Sequence, residues 1–159
     1  MLARCFAFCG LALASLIGPG LAESPSPNGV KTLNPLGAIS TGGDTWSIGA
    51  RAGDLIFVAG MQGVDPVTNK LVDGDEARVR QAFLNLKLVA QSEGATLQDC
   101  VRITVYVSDL RRIAPLVSKV QAELWAKPPY PPRTMVEVRR LFDDDVVEID
   151  SIFYAPTRK

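Results

Sequence analysis

Val101-Arg-Ile-Thr-Val-Tyr-Val-Ser-Asp-Leu110, continued by Arg-Arg-Ile-Ala-Pro-Leu-Val-Ser-Lys-Val-Gln-Ala-Glu-Leu-Trp125, carries two periodicities in succession. Val101, Ile103, Val105 and Val107 alternate with Arg102, Thr104, Tyr106 and Ser108, the period of a half-buried strand. Asp109 then supplies a helix N-cap, and Ile113, Leu116, Val117, Val120 and Leu124 form one apolar stripe. Pro115 is harmless to that helix if it sits in the first turn. The helix must stop before Pro128-Pro-Tyr-Pro-Pro132, because each proline denies its predecessor the helical region.

The same alternation of elements extends outward. Asp54-Leu-Ile-Phe-Val-Ala-Gly60 is an apolar run that fits a strand buried on both faces, with Trp46–Ala50 as its antiparallel partner. Asp65-Pro66 and Thr68-Asn69-Lys70 are turn chemistry. Asp73 and Glu76 have the spacing of a capping box that opens a helix running to about Glu93 and stopping at Gly94. Val79, Phe83, Leu86 and Ala90 share one face of it, while Leu84 and Leu88 lie off that stripe and imply cover on a second side. Two more strands are expected at Arg133–Leu141 and Val146–Tyr154. The order β-β-α-β-α-β-β predicts an α/β sandwich, one mixed β-sheet with two helices packed on one face.

Residues 1–22 read as a secretory signal peptide. One charge, Arg4, precedes an apolar run from Cys5 to Ile17 that is too short to span a bilayer, and Gly20 and Ala22 occupy the −3 and −1 positions before Glu23. The expectation is a secreted or periplasmic protein with no stable membrane association after cleavage. Residues 23–42 are rich in Pro, Gly, Ser and Asn and read as a flexible linker or arm, leaving residues 43–159 as the folded domain. Cleavage removes Cys5 and Cys9, so Cys100 is the single cysteine of the mature chain and no internal disulfide can form.

Composition excludes several function classes. With 47% hydrophobic and 21% charged residues over 159 positions the chain is globular, and 17 basic against 17 acidic residues advertise no nucleic-acid partner. Histidine is absent, which removes a Ser-His-Asp triad, a Cys-His pair and any histidine-containing zinc or haem site.

What remains for chemistry is sparse. Arg133 follows a rigid run of prolines, as a bidentate carboxylate clamp requires, though a solvated arginine at a strand edge would read the same. Glu148 and Asp150 share a strand face. If the last two strands form a hairpin, Arg139 or Arg140 falls opposite Glu148 and Glu137 opposite Asp150, giving plain cross-strand pairs. The functional alternative makes one carboxylate a water-binding group. Cys100 has no base beside it and reads as an inert thiol. Gly60-Met-Gln-Gly63 lacks the lysine of a phosphate loop.

Three segments together resemble the Rid/YjgF family of reactive enamine/imine deaminases. They are Arg51-Ala-Gly-Asp-Leu-Ile-Phe-Val-Ala-Gly60, Val105-Tyr-Val-Ser-Asp-Leu110, and Pro132-Arg-Thr-Met-Val-Glu-Val-Arg-Arg-Leu141 with Val147-Glu-Ile-Asp150. The resemblance implies a chorismate-mutase-like fold and a homotrimer with three clefts between subunits, without cofactor or metal. It implies hydrolysis of small 2-imino or 2-enamino acids to 2-oxo acids and ammonia. Arg133 would bind the substrate carboxylate and Glu148 would handle the attacking water, with Trp46, Gly60 and Met135 lining the pocket. Trp46 stands where the family commonly has tyrosine, and Met135 where it has a small residue.

The competing expectation is a catalytically silent trimer that binds a small carboxylate or a partner protein, holdase-like. An RNA-cleaving role, proposed for some family members, is disfavoured by the neutral charge.

Overall fold

The computed structural model describes residues 28–42 and 45–156. The expected signal segment lies outside the described residues. Six strands form one mixed sheet: β1 (Val30–Leu33), β2 (Gly49–Ala52), β3 (Leu55–Gln62), β6 (Cys100–Val107), β7 (Arg133–Glu137) and β8 (Val147–Tyr154). A separate small ladder joins β4 (Val64–Asp65) to β5 (Lys70–Leu71). The helices α1 (Asp75–Ser92) and α2 (Leu110–Trp125) pack on the sheet, α1 over β3 and β8, α2 beside β6 and β7. This is the expected mixed sheet with two helices.

The strand order is β1-β2-β3-β8-β6-β7, and only the β6–β7 pair is parallel. The last two strands therefore form no hairpin, which corrects the pairing expected from sequence. After α2 the chain returns parallel to β6 on its outer side, and the loop beyond β7 carries it back across so that β8 slots between β6 and β3. Glu148 consequently lies between Gln62 and Tyr106, and neither Arg139 nor Arg140 faces it. Arg140 instead grips Asp144 with two bonds, and Glu137 accepts the Leu110 N–H at 2.8 Å.

On the helix side the core is built by alternation. Ile103, Val105 and Val107 of β6 and Val147, Ile149 and Phe153 of β8 are fully buried beneath Val79, Phe83, Leu86, Val117 and Val120. Phe83 and Trp125 meet edge to face, with ring centroids 5.7 Å apart, a contact worth about 1 kcal/mol beyond the area buried. Val101 departs from the alternation. The β6–β8 register skips between Cys100 and Arg102, and this bulge turns Val101 out to 45% exposure.

Four local expectations change. Within the segment expected to be a linker, Val30–Leu33 pairs antiparallel with β2 and buries Leu33, a strand short enough to hide among prolines and glycines. The capping box does not form, because the helix starts one residue later. Gly74 is the N-cap, and Glu76 turns instead to Lys119 of α2 at 2.9 Å. Asp109 does cap α2, accepting the Arg112 N–H at 3.0 Å, but Pro115 sits beyond the first turn, where it is exposed. Leu84, expected to be covered on a second side of α1, stays 38% exposed.

The sheet face away from the helices is apolar at one end. Phe57, Leu55 and Tyr154 are each more than a third exposed, and Phe57 pairs with Ile152 while Leu55 pairs with Tyr154. Among the described residues no helix is long and apolar enough to cross a membrane.

Candidate active site

Two clefts divide the residues singled out by sequence. The first, about 530 Å³, is lined by Trp46, Gly60 and Glu148 together with Gln62, Phe142 and the arm around Ser40. The second, about 410 Å³, is lined by Arg133, Ser118, Gln121, Ala122, Tyr130 and Pro131.

Glu148 is held by the sheet rather than by a cation. Its strand neighbours are Gln62 and Tyr106, and the space above Gly60 is what admits it. A Cβ built at Gly60 would lie 2.2 Å from the Glu148 Oε1. Any side chain at position 60 would displace the carboxylate, so glycine here is a requirement of close approach. Gly60 falls in the irregular stretch between Val58 and Met61 where the β3–β8 register shifts. Burial first, and then the negative charges of Asp145 and Asp150, push the Glu148 carboxyl above its ordinary value. Among the described residues no basic side chain forms an ion pair with it.

The end of β3 beneath this cleft is fixed from both sides. Asn85 of α1 is buried and donates to the carbonyls of Gln62 (3.0 Å) and Val64 (2.7 Å). Gly63 donates its N–H to the buried carboxylate of Asp145 at 2.7 Å, and a Cβ there would meet the Arg78 Cα at 2.6 Å. Burial also pushes the Asp145 carboxyl up. Tyr106 donates its hydroxyl to Asp150 at 3.2 Å, and the negative charge of Asp150 raises the phenol.

Trp46 walls the first cleft, but its indole N–H is already used, donating to the Thr41 carbonyl at 3.2 Å. Asn69, at φ 54 in the turn before β5, holds the arm by accepting the Ser40 N–H at 3.0 Å.

Arg133 begins β7, whose start is fixed by Ile103 N–H donating to the Pro132 carbonyl at 3.0 Å. It projects to the helix side, beside Ile103, and donates to Gln121 Oε1 at 2.7 Å and Ser118 Oγ at 3.2 Å. Both partners are neutral, so the guanidinium is positioned with its charge intact. Met135 shares that strand face, as expected, but is half-buried against the core and lines neither cleft.

Arg133 and Glu148 are thus separate within one protomer. They stand two strands apart, about 9.6 Å, and three residues apart along the strands, about 10 Å, and they project to opposite faces of the sheet. One small molecule cannot touch both. Among the described residues no cluster of three or more Cys, Asp or Glu could hold a metal ion. Burial pushes the Cys100 thiol up to about 12, as an inert thiol requires.

A family model described as Endoribonuclease L-PSP matches residues 40–155. The chain belongs to this family, the Rid/YjgF proteins. A RutC family protein of Pyrococcus horikoshii is 36% identical over 110 residues, covering 69% of this chain and 86% of that one. A 2-iminobutanoate/2-iminopropanoate deaminase of Salmonella typhimurium is 31% identical over 105 residues, covering 65% of this chain and 82% of that one. A solved structure, a probable translation initiation inhibitor from Rhodopseudomonas palustris, superposes with a TM-score of 0.77 at 50% identity, covering 80% of this chain and 99% of that one.

Sequence reasoning missed Gln121, Ser118 and Phe142. Gln121 had a signal: it sits beside Val117 and Val120, on the buried side of α2, where a polar residue demands a partner. Phe142 lies in an irregular loop and had none.

The electrostatics carry a testable sign. The Glu148 carboxyl is raised in the fold, so its contribution to stability is fully present below the ordinary carboxylate value of 4.5 and is lost as pH rises through the folded value. Glu148→Gln is therefore expected to raise the urea midpoint at pH 7 and to flatten its decline above about pH 4.5, leaving the part due to Asp145. Denaturation at a series of pH values checks this. A loss of stability at pH 7 would instead mean that the carboxylate is held by a partner from outside the protomer.

Proposed function

We propose that the protein hydrolyses 2-imino or 2-enamino acids to 2-oxo acids and ammonia in clefts shared between subunits of a homotrimer. The observation that carries this reading is the split site: a charged guanidinium with no carboxylate partner and a half-buried carboxylate with no cation, each lining a different cleft so that neither cleft holds both groups. The exposed apolar sheet face at Phe57, Leu55 and Tyr154 also calls for cover, which further copies of the chain would supply. The deaminase name of the Salmonella relative supports the reaction class.

The chemistry suits the residues. Arg133 of one protomer binds the substrate carboxylate through its planar fork. Glu148 of a neighbour holds a water against the electrophilic C=N carbon. As the water oxygen bonds to that carbon, Glu148 takes its proton and passes it to the nitrogen. The C–N bond then breaks as the carbonyl forms, the remaining hydroxyl proton leaves with the departing ammonium, and the 2-oxo acid remains. Orientation supplies much of the rate, because the iminium carbon needs no strong nucleophile. We also propose that residues 1–22 direct export, on the signal pattern alone.

Two measurements test this. Ammonia release from freshly generated imino acids is expected to fall on the order of a hundredfold or more in kcat/KM for Arg133→Ala, with Arg133→Lys recovering part of it. Wild-type-like turnover by Arg133→Ala would remove the clamp, and no turnover by the wild type would favour a silent carboxylate-binding trimer. Intact mass of exported protein should correspond to a chain starting at Glu23, and recovery of the full chain embedded in membrane would overturn the export reading.

A further inference from the structure

The cleft around Glu148 has an unusual division of polar capacity. Its Trp46 indole N–H is spent on the Thr41 carbonyl, the Gln62 amide N–H on the Phe142 carbonyl at 2.9 Å, and the Asn69 carbonyl oxygen on the Ser40 N–H. These groups shape the cleft but offer little to a ligand. Beside Ser40 and Thr41 the opening presents a large apolar surface: Trp46 is 43% exposed and Phe142 75% exposed, and Ile39 and Val64 line the same space. Against them stand two acids, Glu148 at the sheet and Asp143 in the loop beside Phe142, which repel an anionic side chain.

Resting on the imino-acid reading of this site, we propose that the cleft selects 2-imino acids carrying a bulky apolar or aromatic side chain, with Trp46 and Phe142 as the specificity-determining walls. Roughly six non-hydrogen atoms make up the imino acid derived from alanine, and they fill little of the about 530 Å³ that one protomer contributes to the shared cleft. A leucine- or phenylalanine-type side chain brings apolar surface to two aromatic residues that otherwise keep theirs in water. In a hydrophobic pocket each fitted methylene is worth on the order of tenfold in kcat/KM.

The experiment uses the full mature chain and imino acids generated by an L-amino-acid oxidase from alanine, leucine, phenylalanine and arginine. The leucine- and phenylalanine-derived substrates are expected to exceed the alanine-derived one in kcat/KM by on the order of tenfold or more. Trp46→Ala is expected to cut that ratio severalfold. Phe142→Ser, at a position exposed enough to leave the fold intact, is expected to do the same. Inhibition gives a second readout: 2-oxo-3-phenylpropanoate should compete more strongly than pyruvate in the wild type, and this difference should shrink in both variants. A preference for the alanine- or arginine-derived substrate, or a ratio unmoved by either variant, would overturn the selectivity while leaving the deaminase reading standing. Absence of turnover on all four substrates would overturn both.

Discussion

β8 is hydrogen-bonded on both sides, to β3 and to β6, and the rest of the molecule depends on that insertion. Its odd-numbered residues Val147, Ile149 and Phe153 complete the core, so its even-numbered residues are forced onto the opposite face. Glu148 is thereby committed to a crowded position between Gln62 and Tyr106, with room only because position 60 lacks a side chain. A carboxylate so placed is partly desolvated and gains no cation within the protomer, and its proton affinity rises. The buried Asp145 just before β8 adds to that effect, and also anchors the β3–β4 turn through the Gly63 N–H. Structure and electrostatics are coupled here through the same few residues.

The parallel β6–β7 pair has the complementary consequence. It sends Arg133 to the helix side, where Gln121 and Ser118 orient the guanidinium without neutralising it. A carboxylate partner would have given a stronger contact in the empty protein and a weaker site for an anionic ligand. The two halves of the proposed chemistry then sit on opposite faces of one sheet.

Much of this fold was legible in the chain. The period-two run in β6 and the capped apolar stripe of α2 each state both an element and the face it buries, because burial acts on side-chain direction. Neighbour relations were not legible. Alternation in β7 and β8 says which side chains share a face and nothing of which strand lies alongside, so the expected Arg139–Glu148 or Arg140–Glu148 pairing had no competitor until β6 was seen between them. β1 was hidden because four residues among prolines and glycines carry too little pattern, and the α1 cap because Gly74 preceded the first helical residue. Of the site, Arg133 and Glu148 were singled out by the family resemblance of the segments that hold them, whereas their separation is a property of topology. That Trp46 spends its N–H inside the protein is likewise visible only in three dimensions.

We propose that one working site takes Arg133 from one subunit and Glu148 from another. Co-expression of Arg133→Ala and Glu148→Gln chains tests it directly, with assembly of mixed oligomers verified by native mass spectrometry. Each variant alone should be nearly inactive, while trimers assembled at random from equal amounts of the two chains should regain up to about one quarter of wild-type imino-acid hydrolysis, the share of interfaces that unite two intact halves. Mixed oligomers that form and stay as inactive as either parent would contradict the shared site.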